Sequence, residues 1–314
     1  MRRALLAVAL AGCAGPQPKK PAPLVDAGPP EIGASASPTP DAGPKGPCGC
    51  DDYGKPEVLG KIGGELDEAS GLATSRLHPG IVYTHNDSGD TARVFALRED
   101  ATQVAEIALV GVKARDFEDI AVGPCPEGSC VYVADIGDNN KVRKSLVVHR
   151  FAEPKALAGK LAVNADPLRF KYPDGPHNAE ALLVHPKTGE LVVVTKVVIG
   201  AIGIYRFPTP LAPNVEVTLE HVGEVVGIDP LSQLVTAGAV SPCGDRLLLR
   251  TYGRLYEFTV TGSVAAALLG KPREVPAPDE AQGEAVTYRA NGQGYLTTSE
   301  GLGAPLYGTR CATP

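Results

Sequence analysis

A short unit recurs five times along the chain: Ser70-Gly-Leu-Ala, Glu118-Asp-Ile-Ala, Glu180-Ala-Leu-Leu, Ala237-Gly-Ala-Val and Glu284-Ala-Val-Thr, at steps of 48, 62, 57 and 47 residues. Each is followed by an apolar β-type run that ends in polar residues, such as Val82-Tyr-Thr-His-Asn-Asp or Leu191-Val-Val-Val-Thr-Lys, and then by a third short strand such as Arg93-Val-Phe-Ala-Leu or Arg254-Leu-Tyr-Glu-Phe. Self-similarity at this period marks a repeat architecture. Strands of 4–8 residues set between Gly, Pro, Asn and Asp read as all-β, and units of this length fit four-stranded blades. The expectation is a five-bladed β-propeller.

The last unit has only three strands before Pro314. The segment Pro56-Glu-Val-Leu-Gly-Lys-Ile, which precedes the first unit, supplies the missing outer strand and closes the ring as a velcro strand. The alternative is six blades, with a degenerate one in the long interval 141–175.

The N-terminus carries Arg2 and Arg3, an apolar stretch from Ala4 to Ala11, and then Leu10-Ala-Gly-Cys13. This is the pattern of a secretory signal, too short to span a bilayer. Residues 1–12 are read as that signal, and its end resembles a bacterial lipobox. The resemblance implies cleavage before Cys13, acylation of its thiol, and a location on the cell envelope, at the bacterial outer membrane or cell surface. Residues 13–47 are rich in Pro, Ala and Gly and nearly free of large apolar groups, so they bury too little to repay ordering. They read as a disordered tether of roughly 30–35 Å r.m.s. span. Residues 48–314 form the propeller domain.

The net charge is −6, and removal of Arg2 and Arg3 makes it −8. Without a basic stripe interleaved with aromatics, nucleic acid is disfavoured as a partner. Setting Cys13 aside, six cysteines suggest an oxidising compartment. Cys125 and Cys130 bracket one turn and are expected to pair. Tracking strand direction puts Cys48, Cys50, Cys243 and Cys311 together on the bottom face, pairing Cys48 and Cys50 with Cys243 and Cys311 in an order left open.

Innermost strands line a propeller's channel, so Ser70, Glu118, Glu180 and Glu284 should face one axis. Carboxylates crowded in a narrow channel repel unless protonated or bound to a cation. Calcium accepts six to eight oxygens in flexible geometry, whereas zinc favours His or Cys, absent from this ring. The ring is therefore assigned to calcium. The order Ser, Glu, Glu, small residue, Glu resembles the axial calcium ring of calcium-activated soluble nucleotidases (apyrases), and more loosely the esterase-like phytase and gluconolactonase-type propellers. The chain departs from the apyrase pattern at Ala237, where a second Ser belongs, and has no Trp to stack on a base.

Second strands end on the top face, which gathers His85, Asp87, Asp135, Asp138, Lys196 and Arg250 around one mouth, with His177 entering from a loop. These are the catalytic candidates: the carboxylates or histidines as bases, Lys196 and Arg250 as groups that polarise an oxyanion. No nucleophile elbow, zincin motif, phosphate loop or dinucleotide fingerprint occurs in the sequence. Two readings follow. One is a monomeric, lipid-anchored module that binds a small ligand or an envelope protein at its top face and meets the membrane only through the anchor. The other is a calcium-dependent phosphoesterase or lactonase-type hydrolase.

Overall fold

The computed structural model describes residues 49–229, 233–280 and 282–312. The expected signal peptide, Cys13, the tether and Cys48 lie outside the described residues.

Strand β1 (Glu57–Lys61) precedes the first unit. Blade 1 begins with β2 (Ala69–Thr74), β3 (Ile81–Asn86), β4 (Arg93–Arg98) and β5 (Gln103–Leu109). Blade 2 has β6 (Phe117–Cys125), β7 (Gly128–Asp135) and β8 (Leu146–Ala152); then, after β9 (Gly159–Val163), comes its fourth strand β10 (Asp166–Lys171). Blade 3 consists of β11 (Ala179–Val184), β12 (Leu191–Thr195), β13 (Gly203–Arg206) and, following β14 (Val217–Thr218), β15 (Glu220–Glu224). Blade 4 is β16 (Val235–Val240), β17 (Arg246–Thr251), β18 (Leu255–Thr259) and β19 (Arg273–Val275). Blade 5 is β20 (Gly283–Tyr288), β21 (Gly294–Ser299) and β22 (Pro305–Arg310).

The five sheets form a ring, each β2, β6, β11, β16 and β20 lying innermost. Strand β1 pairs antiparallel with β22, Glu57 opposite Gly308, so the velcro closure is present. The six-blade alternative is overturned. The 141–175 interval holds no blade of its own: β9 pairs in parallel with the outer edge of β5 in blade 1 before the chain returns to blade 2. In the same way β14 pairs in parallel with β10 of blade 2 before β15 pairs antiparallel with β13 of blade 3. Both detours cover an outer edge that would otherwise present unpaired backbone groups, and each staples a blade to its predecessor.

Five apolar clusters fill the five interfaces between neighbouring blades. Tyr132, Leu182 and Tyr205 join blades 2 and 3; Val82, Ala285 and Leu306 join blades 1 and 5. Burial of such side chains contributes roughly 1.5–3 kcal/mol each and dominates the fold's stability. At the bottom face Cys50 bridges Cys311 with Cα atoms 5.2 Å apart, Cys125 bridges Cys130 at 5.8 Å, and Cys243 is also disulfide-bonded.

Candidate functional site

The inner strands are not regular. Strand register shifts between Phe117 and Asp119, Ala179 and Ala181, Val235 and Ala237, and Gly283 and Ala285, and again between Ser70 and Ala73. Glu118, Glu180, Thr236 and Glu284 are the extra residues. A β-bulge re-aims the side chain it carries, so the fold repeats one bulge to build one polar layer. The bulged residue of blade 4 is Thr236, while Ala237 is packed in the interface of blades 4 and 5.

The hydroxyls in this layer tie blades together. Ser70 donates to the Glu118 carbonyl at 2.7 Å and Thr236 to the Gly283 carbonyl at 2.7 Å. Glu118, Glu180 and Glu284 are all buried. Glu180 accepts a hydrogen bond from Lys196 Nζ at 2.5 Å, and that ammonium also donates to Tyr252 at 2.8 Å while lying over its ring.

Among the described residues, Asp87, Asp116 and Glu118 converge, their carboxylate oxygens within 4.8 Å of one another. Asp87 comes from the turn after β3, Asp116 from the loop before β6, and Glu118 from the bulge itself. Gly137 completes the cradle: a Cβ there would stand 2.1 Å from Glu118 Oε1 and 2.3 Å from Asp116 Oδ2, so only glycine lets the backbone approach both acids. An all-oxygen set of carboxylates suits a hard divalent cation.

The electrostatics agree. Burial pushes the Glu118 carboxyl well up, reinforced by Glu180, Asp87 and Asp116. Burial, with Asp116, Glu180 and Glu300 adding repulsion, raises Asp87 to about 7 against the Ser88 N–H that favours its anion. Glu284 is raised to about 8, chiefly by burial and in spite of Lys196. Asp116 is raised by burial, opposed by Arg143. For Lys196 burial disfavours the charge, but Glu180 outweighs it and holds the ammonium above its usual range.

Other candidates serve as braces. Asp135 accepts from Arg143 Nη2 at 2.7 Å and from the Arg115 and Asp116 backbone N–H groups at 3.2 and 3.3 Å, fixing the loop that carries Asp116. Asp138 accepts from the Val142 and Arg143 N–H groups at 2.9 and 2.8 Å, as turn chemistry requires. Arg250 is buried, paired with Glu280, and donates to the Ala285 carbonyl at 2.8 Å. His85 is buried, edge-on to Phe117, and lowered to about 4 by desolvation. His177 lies among Asp174, Tyr172 and Tyr205, 3.0 Å from the Asp174 carboxylate, rather than among the mouth carboxylates.

Sequence reasoning missed two residues. Glu280, in the stretch before β20, carries no motif. Asp119, the second residue of the blade 2 unit, spans the channel: it accepts from the backbone N–H groups of Ile120 and Leu182 at 2.8 Å each and of Gly238 at 3.1 Å.

No protein-family model matches this chain, and no curated protein does. Similar solved structures include a proposed oxidoreductase (glucose dehydrogenase) of Thermus thermophilus, 14% identical with a TM-score of 0.43, covering 81% of this chain and 99% of that one. A gluconolactonase of Xanthomonas campestris is 13% identical with a TM-score of 0.45, over 86% and 99%. A proposed gluconolactonase is 11% identical with a TM-score of 0.47, over 84% and 93%. The five-bladed architecture is read from the sheets themselves.

Proposed function

We propose that this protein is an exported β-propeller, anchored to the cell envelope through an acylated Cys13, whose channel mouth holds a calcium ion and binds a small ligand or envelope protein there. The supporting observation is the meeting of Asp87, Asp116 and Glu118 within 4.8 Å over the Gly137 backbone. Ser70, Glu180 and Glu284 form the layer around that centre. Calcium would neutralise acids that otherwise must take up protons, and would fix the rim loops of blades 1 and 2 in one arrangement. Lys196 and Arg250 are both engaged by carboxylates, Glu180 and Glu280, which favours binding over turnover.

Metal analysis of the purified 46–314 domain, followed by melts with and without chelator, tests this reading. Calcium at a hundredfold excess over Kd stabilises by about 2.7 kcal/mol; Asp116→Asn and Glu118→Gln should abolish both the bound metal and that gain. A melt that ignores chelator would remove calcium from the account.

The second reading is a calcium-dependent phosphoesterase or lactonase-type hydrolase. It is favoured by Lys196, which is close enough to Glu118 and Glu284 to influence the titration of both, and so is placed to hold an anionic oxygen beside the metal centre. Calcium-dependent turnover of a phosphoester or lactone, lost in Asp116→Asn, would establish it over simple binding. Release of the protein from the membrane fraction by Cys13→Ala tests the anchor.

A further inference from the structure

The channel is closed at its waist. Asp119, on β6, reaches across to Gly238 on β16, and Gly71 of β2 presses so near that a Cβ would stand 2.9 Å from the Asp119 Cα. Below this plug, on the face opposite the carboxylate mouth, lies a cavity of about 670 Å³. That size falls in the range of small-molecule sites, which are mostly apolar with a few polar groups that orient the ligand.

Its walls come from the lower halves of the inner strands, with the half-buried Ala121, Val122, Ala239 and Val240 among them. The polar groups nearby are mostly satisfied. Thr74 donates its hydroxyl to the Tyr288 carbonyl at 2.6 Å, and its N–H to the Thr287 hydroxyl at 3.2 Å. Of the two arginines that line the cavity, Arg289 is paired with Glu99 at 3.1 Å. Each has one buried nitrogen without a hydrogen-bond partner, Nη1 of Arg76 and Nε of Arg289, but for Arg76 no ion pair is found among the described residues. The turn that carries it is fixed, because Glu153 accepts from the Arg76 N–H at 3.2 Å and from the Ser75 and Ser129 hydroxyls at 2.5 Å each.

A buried guanidinium N–H with no acceptor is costly, and a carboxylate matches its forked geometry. We propose that this lower cavity is a second binding site, for an amphipathic carboxylate whose head group meets Arg76 and whose apolar body lies along Ala121, Val122, Ala239 and Val240. The Asp119 plug separates it from the cation centre, so the two ends of one channel serve different ligands.

Calorimetric titration of the folded protein with decanoate, below its micelle concentration, tests the site, with decanol as the head-group control. The expected result is saturable one-to-one binding, at least tenfold weaker for decanol and for Arg76→Met, and abolished by Ala239→Phe, which fills the cavity. Asp116→Asn should bind decanoate as wild type does. No saturable binding to wild type, or an affinity unchanged in Arg76→Met, would overturn the proposal; loss in Asp116→Asn would move the ligand to the upper mouth and overturn it equally. If Ala239→Phe fails to fold, the Arg76→Met and decanol comparisons decide.

Discussion

The Asp119 carboxylate accepts a hydrogen bond from the Gly238 N–H at 3.1 Å, linking the innermost strand of blade 2 to that of blade 4 across the channel. The same oxygen takes the Leu182 N–H of blade 3, so one side chain satisfies backbone donors on two strands that have no further sheet partner on their channel side. Leaving a buried donor unsatisfied costs roughly 1–3 kcal/mol. Asp119→Ala should therefore lower unfolding stability by about 3 kcal/mol or more in urea, with calcium affinity falling less than in Glu118→Gln. A denaturation curve that matches wild type would show that water replaces the carboxylate at no cost.

Stability should depend on pH with a sign set by the mouth carboxylates. Asp87 is raised to about 7 and Glu284 to about 8, whereas in the unfolded chain such groups titrate near pH 4. The folded state holds these protons more tightly, so its stability falls as pH rises through 7 and 8. His85 and His149, both lowered to about 4 by burial, slope the other way, but only below the ordinary histidine value of about 6.5. Between pH 6.5 and 8.5 the carboxylates act alone. Chelated protein should lose roughly 2 kcal/mol over that window, and saturating calcium should flatten the profile; a metal-free melting temperature that rises with pH would contradict the assignment.

Arg250 and Glu280 form a buried ion pair, with both side chains about 2% exposed. Removing one partner strands a charge and costs about 3–5 kcal/mol, while removing both is far milder. Arg250→Met should thus unfold at much lower denaturant, and Arg250→Met combined with Glu280→Gln should recover part of the loss. Were Arg250 instead a substrate-polarising group, the single substitution would leave the melt intact and affect only turnover.

The five blades, the closing strand and the bottom-face cysteines were legible because each depends on a repeated pattern or on strand direction, which sequence carries locally. The bulges were not. Neighbours on a regular strand face opposite sides, so a regular strand puts only Glu118 of the pair Glu118–Asp119 on the channel; the register shift between Phe117 and Asp119 lets both act within it, one in the mouth and one at the waist. The layer's blade 4 member was likewise displaced by one position, from Ala237 to Thr236. Strand β9 and the parallel pairings of β9 and β14 escaped notice because each joins the blade before its own, a long-range choice with no periodic signature. Arg250 looked available in sequence because its partner Glu280 lies 30 residues away in an irregular stretch.

The ring's closure rests on two fastenings at neighbouring points, and they can be separated. Strand β1 pairs with β22, while Cys50 bridges Cys311 just beyond the end of β22, and Tyr53 pairs with Cys311 as an isolated bridge between them. The disulfide joins residues 261 apart. In the chain-entropy account a loop of that length contributes on the order of 5 kcal/mol by restricting the unfolded chain. Cys50→Ser combined with Cys311→Ser should therefore lower stability by several kcal/mol yet leave the folded ring intact, since the β1–β22 ladder and the apolar contacts of Leu59 and Ile62 persist. Deleting residues through Lys61 instead removes the outer strand of blade 5 and exposes the edge of β22, so that variant should aggregate or swap strands between copies. Because that deletion also removes Cys50, the Cys50→Ser, Cys311→Ser protein is its reference, and size-exclusion profiles and urea curves of the two isolate the strand: a deletion variant as monomeric and cooperative as the reference would show that closure is carried by the blade interfaces, with the strand dispensable.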